Sequence, residues 1–147
     1  MIPLIRRRTF IWRLAAGFLI VAGCQSGDGN SKVGTHPMLP FGYVEVPNDG
    51  ATLQKVAEIA GWVLCEDGVE EVAIYLDRSY IATATLGISR PDVAKSVPQI
   101  ENNGSAGWQA SIDVTRIGAG RHQLLVQARS KKGATSDLGK ITVSVIQ

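Results

Sequence analysis

Cysteine, histidine and aromatic residues are scarce in this chain of 147 residues: it has 2 Cys, 2 His, 3 Trp, 3 Tyr and 3 Phe. There is no Cys-x-x-Cys, no pair of histidines at helical spacing and no Asp-rich loop of the calcium-hand type. Clustered ligands of those kinds are what a metal site needs, so neither a metal nor another cofactor is expected. An apolar run of about 20 residues, the length that spans a bilayer, is also missing. The longest apolar stretch, Leu14 to Ala22, is too short to cross comfortably. No long segment carries a helical period.

What is present begins with an address. Arg6, Arg7 and Arg8 precede the apolar stretch, and the small residues Ala22 and Gly23 close it. A basic region, a short apolar core and small residues before a cleavage point mark a secretory signal. Residues 1–23 are therefore read as a signal peptide. Its last residues and the next one, Val21-Ala22-Gly23-Cys24, resemble the bacterial lipobox. That resemblance implies a diacylglycerol thioether on Cys24, which becomes the first residue of the mature chain, and acyl chains such as palmitate as its membrane partner. Each buried methylene contributes about 0.8 kcal/mol, and two or more chains anchor stably. Gln25 stands where the enterobacterial sorting pattern places Asp for inner-membrane retention. The outer membrane or cell surface of a bacterial envelope is the implied location. Arg7-Arg8-Thr9-Phe10-Ile11 also resembles a twin-arginine export signal, an address rather than an anchor. Export in the folded state and ordinary export both remain open.

Removing Arg6, Arg7, Arg8 and Arg13 from the 15 basic residues leaves 11 against 13 acidic ones, a net charge of −2. The basic character belongs to the signal. No basic patch with interleaved aromatics remains, and nucleic acid is excluded as a partner on that ground. From Cys24 to Pro40 the chain is rich in Ser, Gly, Asp, Asn and Lys, the composition of a flexible tether, and His36 within it is a solvated linker residue.

Residues 41–147 read as one all-β domain. Apolar residues alternate at Val72, Ile74 and Leu76, at Trp108, Ala110, Ile112 and Val114, at Leu124, Val126 and Ala128, and at Ile141, Val143 and Val145. That is the period of half-buried strands. Turn residues at 47–50, 66–68, 102–104, 118–120 and 132–133 separate them. The spacing predicts strands over Gly42–Val46, Leu53–Leu64, Val69–Asp77, Tyr80–Thr85, Gly107–Val114, Arg121–Ser130 and Leu138–Ile146. About seven short strands with no helical period indicate an Ig-like antiparallel β-sandwich. Pro91 and Pro98 bracket a single helical turn within Ser89–Val97.

Gly42-Tyr43-Val44, Gly61-Trp62, Val72 to Asp77, Arg90-Pro91-Asp92-Val93, Gly107-Trp108 and Gly120-Arg121-His122 together resemble a bacterial Ig-like module of secreted and surface proteins. The resemblance covers nearly all of the folded part but rests on core and turn positions. Arg78 departs from it where a turn glycine is usual, implying a different turn type or a longer loop. Trp108 departs where Phe is usual, a conservative change in a core aromatic.

Chemistry is sparse. Cys65 and His122 are the thiol and the imidazole of the folded part, and a strand-embedded Cys is usually a small buried hydrophobe. His122 shares parity with Leu124 and Val126 and caps the edge of the core, so structure outweighs a Cys65–His122 catalytic dyad. With Cys24 a thioether, Cys65 has no partner inside the chain, and the sandwich holds by its apolar core. Arg90 and Asp92 flank a proline in the longest connection, where they form either a ligand site or a pin for the crossover. Glu66, Asp67, Glu70 and Glu71 crowd one loop as a solvated acidic turn or a weak calcium site. Tyr43, Tyr75 and Tyr80 are the aromatics available for a glycan-binding face. With the anchor that the lipobox resemblance implies at Cys24, the expectation is a lipid-anchored, non-catalytic module displayed for binding, adhesion or structural interaction. Its partner is a protein or a glycan. A glycan-binding module using exposed aromatics and a structural subunit of an envelope assembly are the alternatives.

Overall fold

Alternation turns into strands wherever one face can be buried. In the computed structural model, which describes residues 37–147, the chain forms β1 (Phe41–Val46), β2 (Thr52–Leu53), β3 (Val56–Leu64), β4 (Val69–Leu76), β5 (Ser79–Thr83) and β6 (Thr85–Ile88). A short helix α1 (Pro91–Ser96) and a 3-10 turn (Asn103–Ser105) follow. The chain closes with β7 (Gly107–Asp113), β8 (Gly120–Ser130) and β9 (Thr135–Val145). The signal peptide and nearly all of the tether expected from the sequence lie outside the described residues.

Two sheets result, one of four strands in the order β1-β3-β7-β6 and one of five in the order β2-β9-β8-β4-β5. All pairings are antiparallel except β2 with β9. This is the two-sheet partition of the Ig-like sandwich, with one extra strand joining the second sheet at each edge. Ile59 and Trp108 from the first sheet meet Ile74, Leu124, Val126 and Val143 from the second in a fully buried core. Burying a side chain of that size contributes about 1.5–3 kcal/mol.

Two stretches expected to be single strands are each split between the sheets. Leu53–Leu64 breaks at Gln54-Lys55, where Lys55 takes a left-handed φ of 51° and its carbonyl accepts from Val114 N–H at 2.8 Å. Tyr80–Thr85 breaks at Ala84, which is buried and donates its N–H to Val72 O. Nine strands therefore replace the expected seven. Neither break carries Gly or Pro, so periodicity runs straight through both. The remaining strand boundaries fall within a residue or so of expectation, apart from β9, which begins at Thr135.

The helical turn forms where Pro91 predicts it, with Pro in its first turn. Asn103 Nδ2 donates to the Val97 and Ala94 carbonyls, satisfying the end of the helix. Leu64, Val93, Ile100 and Ala106 form a second small core with Trp62 and Val97 packed against it. By strand parity Trp62 and Leu64 point away from the main core, so the α1 connection covers part of the outer face of the four-stranded sheet.

Asp77 and Arg78 form a two-residue hairpin turn between β4 and β5, with φ of 48° and 72°. Positive φ at both positions is the primed hairpin geometry. The turn is thus no longer than the glycine-containing one, and Arg78 adopts the backbone that glycine would. Asp77 holds it there: its N–H donates to Gln123 O, and its Oδ1 accepts from Gln123 N–H, both at 2.9 Å. A non-glycine residue in this region costs about 1–2 kcal/mol. Arg78→Gly is accordingly expected to stabilise the domain by about 0.5–1 kcal/mol in urea melts, the gain being trimmed by glycine's greater unfolded-state freedom.

The tether gives way to the domain before residue 41. Pro40 is buried, and Met38 is held at both ends, its N–H donating to Asp67 Oδ2 at 2.7 Å and its carbonyl accepting from Cys65 Sγ at 3.2 Å. Ser136 Oγ donates to the Pro40 carbonyl. Among the described residues, no helix is long and apolar enough to cross a membrane.

Candidate functional site

Arg90 and Asp92 are brought together with a third residue, Glu45, that the sequence reading did not single out. Arg90 donates Nε and Nη2 to Asp92 at 3.0 and 2.7 Å, and Nη1 and Nη2 to Glu45 at 2.6 and 2.9 Å. One guanidinium serves two carboxylates, each in a two-bond geometry. Hydrogen bonds from Arg90 are the main reason Asp92 is pulled down to about 2. The Arg90 side chain is only 19% exposed, against 41% for Glu45 and 63% for Asp92. The arrangement is a clasp tying the β6–α1 connection to β1. Glu45 carried a faint signal, being the acidic residue in the outward row Phe41, Tyr43, Glu45.

Tyr75 and Tyr80 are cross-strand neighbours on the outer face of the five-stranded sheet, their ring centroids 6.0 Å apart and nearly perpendicular. Tyr80 is 58% exposed and Tyr75 half-buried. From Tyr80 Oη a polar chain runs to Thr83 Oγ1 at 2.8 Å, on to Glu71 at 3.2 Å, and from Glu71 to Arg129 at 2.7 Å. Arg129, and then Thr83, hold the Glu71 carboxyl below its ordinary range. Tyr43 does not join this group. It points outward from β1 in the other sheet, so the three tyrosines do not share a face.

The acidic loop is distributed among cations and a backbone donor. Lys132 Nζ lies 2.6 Å from Asp67, and it lowers that carboxyl together with Met38 N–H. Arg129 pairs with Glu70 as well as Glu71. Among the described residues no group of three or more His, Cys, Asp or Glu is arranged to hold a metal ion.

Cys65 and His122 sit at opposite ends of the sandwich. Cys65 follows β3, beside the loop where Gly68 meets Lys131 just past the end of β8, whereas His122 lies near the start of β8. They do not form a dyad. Cys65 is a free, buried thiol. His122 Nδ1 lies 2.6 Å from Asp77 Oδ2 and Nε2 lies 2.7 Å from Gly118 O. Both partners are acceptors, so the doubly protonated ring satisfies them best. Asp77 first, then the Gly118 carbonyl, raise the His122 pKa above its ordinary 6.5. This stabilisation is complete below the unfolded pKa and is lost as pH rises through the folded one. Urea melts at rising pH are expected to show that loss in the wild type and not in His122→Asn. Asp77 behaves in the opposite sense, its pKa lowered first by Gln123 N–H and then by His122, so its contribution fades as pH falls.

An open cleft of roughly 350 Å³ lies at the Cys65 end, lined by Leu86, Asn102, Glu101, Glu66 and Lys131 among others. Val21, Ala22, Gly23 and Cys24 lie outside the described residues.

The class defined by the two-sheet order is the Ig-like β-sandwich. Among solved structures, the chain is similar to an endo-beta-1,4-mannanase from Thermotoga petrophila, at 18% identity and a TM-score of 0.52, over 80% of this chain and 22% of that one. It is also similar to the fibronectin(III)-like modules of CbhA from Clostridium thermocellum, at 16% identity and a TM-score of 0.51, over 75% of this chain and 48% of that one. CopC from Methylosinus trichosporium OB3b is a looser likeness, at 12% identity and a TM-score of 0.40, over 71% of this chain and 92% of that one. The chain thus spans about a fifth of the first of these and about half of the second. At such identities the likeness is one of fold. No protein-family model and no curated protein matches the chain.

Proposed function

We propose that this chain is a lipid-anchored, non-catalytic Ig-like module displayed at the bacterial envelope for binding, adhesion or structural interaction. The observation that carries the reading is where the polar groups of the domain go. Arg90 holds Glu45 and Asp92, Arg129 holds Glu70 and Glu71, Lys132 holds Asp67, and His122 bridges Asp77 and Gly118. Each set ties strands or loops to one another, and the sheet faces and loops remain open to a partner. The lipobox-like Val21-Ala22-Gly23-Cys24 supplies the attachment. In a lipoprotein-processing bacterium the wild type is expected to sediment with membranes and Cys24→Ala to remain soluble. Equal solubility of the two would contradict the anchor.

One observation favours a glycan as the bound partner: the Tyr75–Tyr80 pair beside Thr83, Glu71 and Arg129. An aromatic face next to fixed donors and acceptors suits a sugar, whose apolar face stacks on the ring while its hydroxyls bond at the side. Retention on insoluble polysaccharide or on purified cell wall, lost in Tyr75→Ala and in Tyr80→Ala, is the expected result. Concentration-dependent mass of the unlipidated protein, with no such retention, would favour the structural subunit.

A further inference from the structure

The tether enters the domain at one edge of the four-stranded sheet, and that edge is unusually apolar. Met38 is 46% exposed, Leu39 62%, Phe41 43% and Tyr43 62%. Phe41 and Tyr43 occupy successive outward positions on β1. Tyr43 stands opposite Trp62 in register, and Phe41 packs edge-on against Trp62 at a centroid distance of 6.0 Å. Phe41, Tyr43 and the half-buried Trp62 adjoin on the outer face of the sheet, and with the exposed Met38 and Leu39, which precede them in the chain where the tether ends, they form an apolar strip. Exposed apolar surface of this kind marks an interaction site.

The place of attachment argues for what covers it. Twelve residues, Gln25 to His36, separate Cys24 from the first described residue. Even fully extended they reach only about 40 Å. An acylated Cys24 therefore keeps this strip, the part of the domain nearest the tether, within that distance of the lipid headgroups. The side chains suit the interface: Trp and Tyr, apolar bodies with a polar tip, are enriched at headgroup level. Glu45, the carboxylate in the same outward row of β1, is bound in two-bond geometry by Arg90, which also holds Asp92.

We infer that the strip Met38, Leu39, Phe41, Tyr43 and Trp62 rests on the bilayer surface, fixing the orientation of the domain. The five-stranded sheet, with Tyr75 and Tyr80, then faces away from the membrane. The inference rests on the lipid-anchor reading, and its test separates the two.

The mature chain is reconstituted into vesicles of phosphatidylethanolamine and phosphatidylglycerol with acyl chains brominated near the headgroup, and tryptophan emission is compared with that in unbrominated vesicles. Its tryptophans are Trp62 and the core residue Trp108. The expected result is loss of emission in brominated vesicles, absent in Trp62→Phe and in the double variant Phe41→Ser/Tyr43→Ser, with unchanged thermal melts showing that both variants fold. Flotation of the wild type but not of Cys24→Ala tests the anchor separately. Should the wild type fail to float, a Cys24→Ser chain carrying an N-terminal hexahistidine in place of the signal is held on nickel-chelating lipids, which restores the tether without acylation. Emission that is insensitive to bromine in vesicle-bound protein, by either attachment, overturns the proposal. Self-association through Phe41 and Tyr43 that persists on vesicles and shields Trp62 from bromine overturns it equally.

Discussion

Replacing Gly61 with alanine is expected to destabilise the domain by about 3–5 kcal/mol, a large part of the roughly 5–15 kcal/mol that holds a domain together. A β-carbon at Gly61 would overlap the Tyr43 carbonyl oxygen on the adjacent strand and come within 2.7 Å of Trp108 Cζ2. The first obstacle is backbone, so β1 and β3 must separate to admit the methyl group. The second is the indole that fills the centre of the four-stranded sheet. Trimming the indole should not help: Trp108→Phe is expected to leave most of the Gly61→Ala penalty in place, because the Tyr43 carbonyl remains. Urea melts of the two single variants and the double variant check this. A mild Gly61→Ala variant would mean that the strands are not as closely spaced as described.

Trp108→Ala should cost about 3–5 kcal/mol, the range for removing a large aromatic from a packed core. Trp108→Phe should cost no more than about 1.5 kcal/mol. Trp108 is 1% exposed, yet its Nε1 has no hydrogen-bond partner. An orphan buried donor carries a penalty of about 1–3 kcal/mol, and phenylalanine removes the donor along with part of the ring. The two effects oppose, which is why the Phe variant is mild. A Trp108→Phe variant that loses as much as Trp108→Ala, again by urea melt, would contradict that balance.

The strands of the core were legible because burial of one face writes itself as alternation, clearest in Val72, Ile74 and Leu76 of β4 and in Leu124, Val126 and Ala128 of β8. The likeness to bacterial Ig-like modules pointed to the same sandwich. Pro91 announced α1 by its fixed φ. The sheet switches at Lys55 and Ala84 were not legible, since a strand that passes from one sheet to the other keeps its apolar spacing and needs no glycine there. Partners distant in sequence were equally hidden. Arg90 and Asp92 stood out as a pair, but Glu45 is 45 residues away, and nothing local announces that one guanidinium will hold both. The same holds for Met38, whose attachment to Asp67 and Cys65 moves the start of the folded part into a segment of tether-like composition. Tyr75 lies on the polar parity of its strand, but that Tyr80 stands beside it and Tyr43 in the other sheet follows only from the strand pairing.

The most direct test of the whole account is the intact mass of the mature protein purified from membranes of a lipoprotein-processing bacterium. The account predicts a chain beginning at Cys24 and carrying the added mass of a diacylglycerol, with further acylation where the host supplies it. A chain cleaved elsewhere, with an unmodified thiol at Cys24, would contradict it, and the domain would then be a secreted sandwich with no lipid to hold it at a surface.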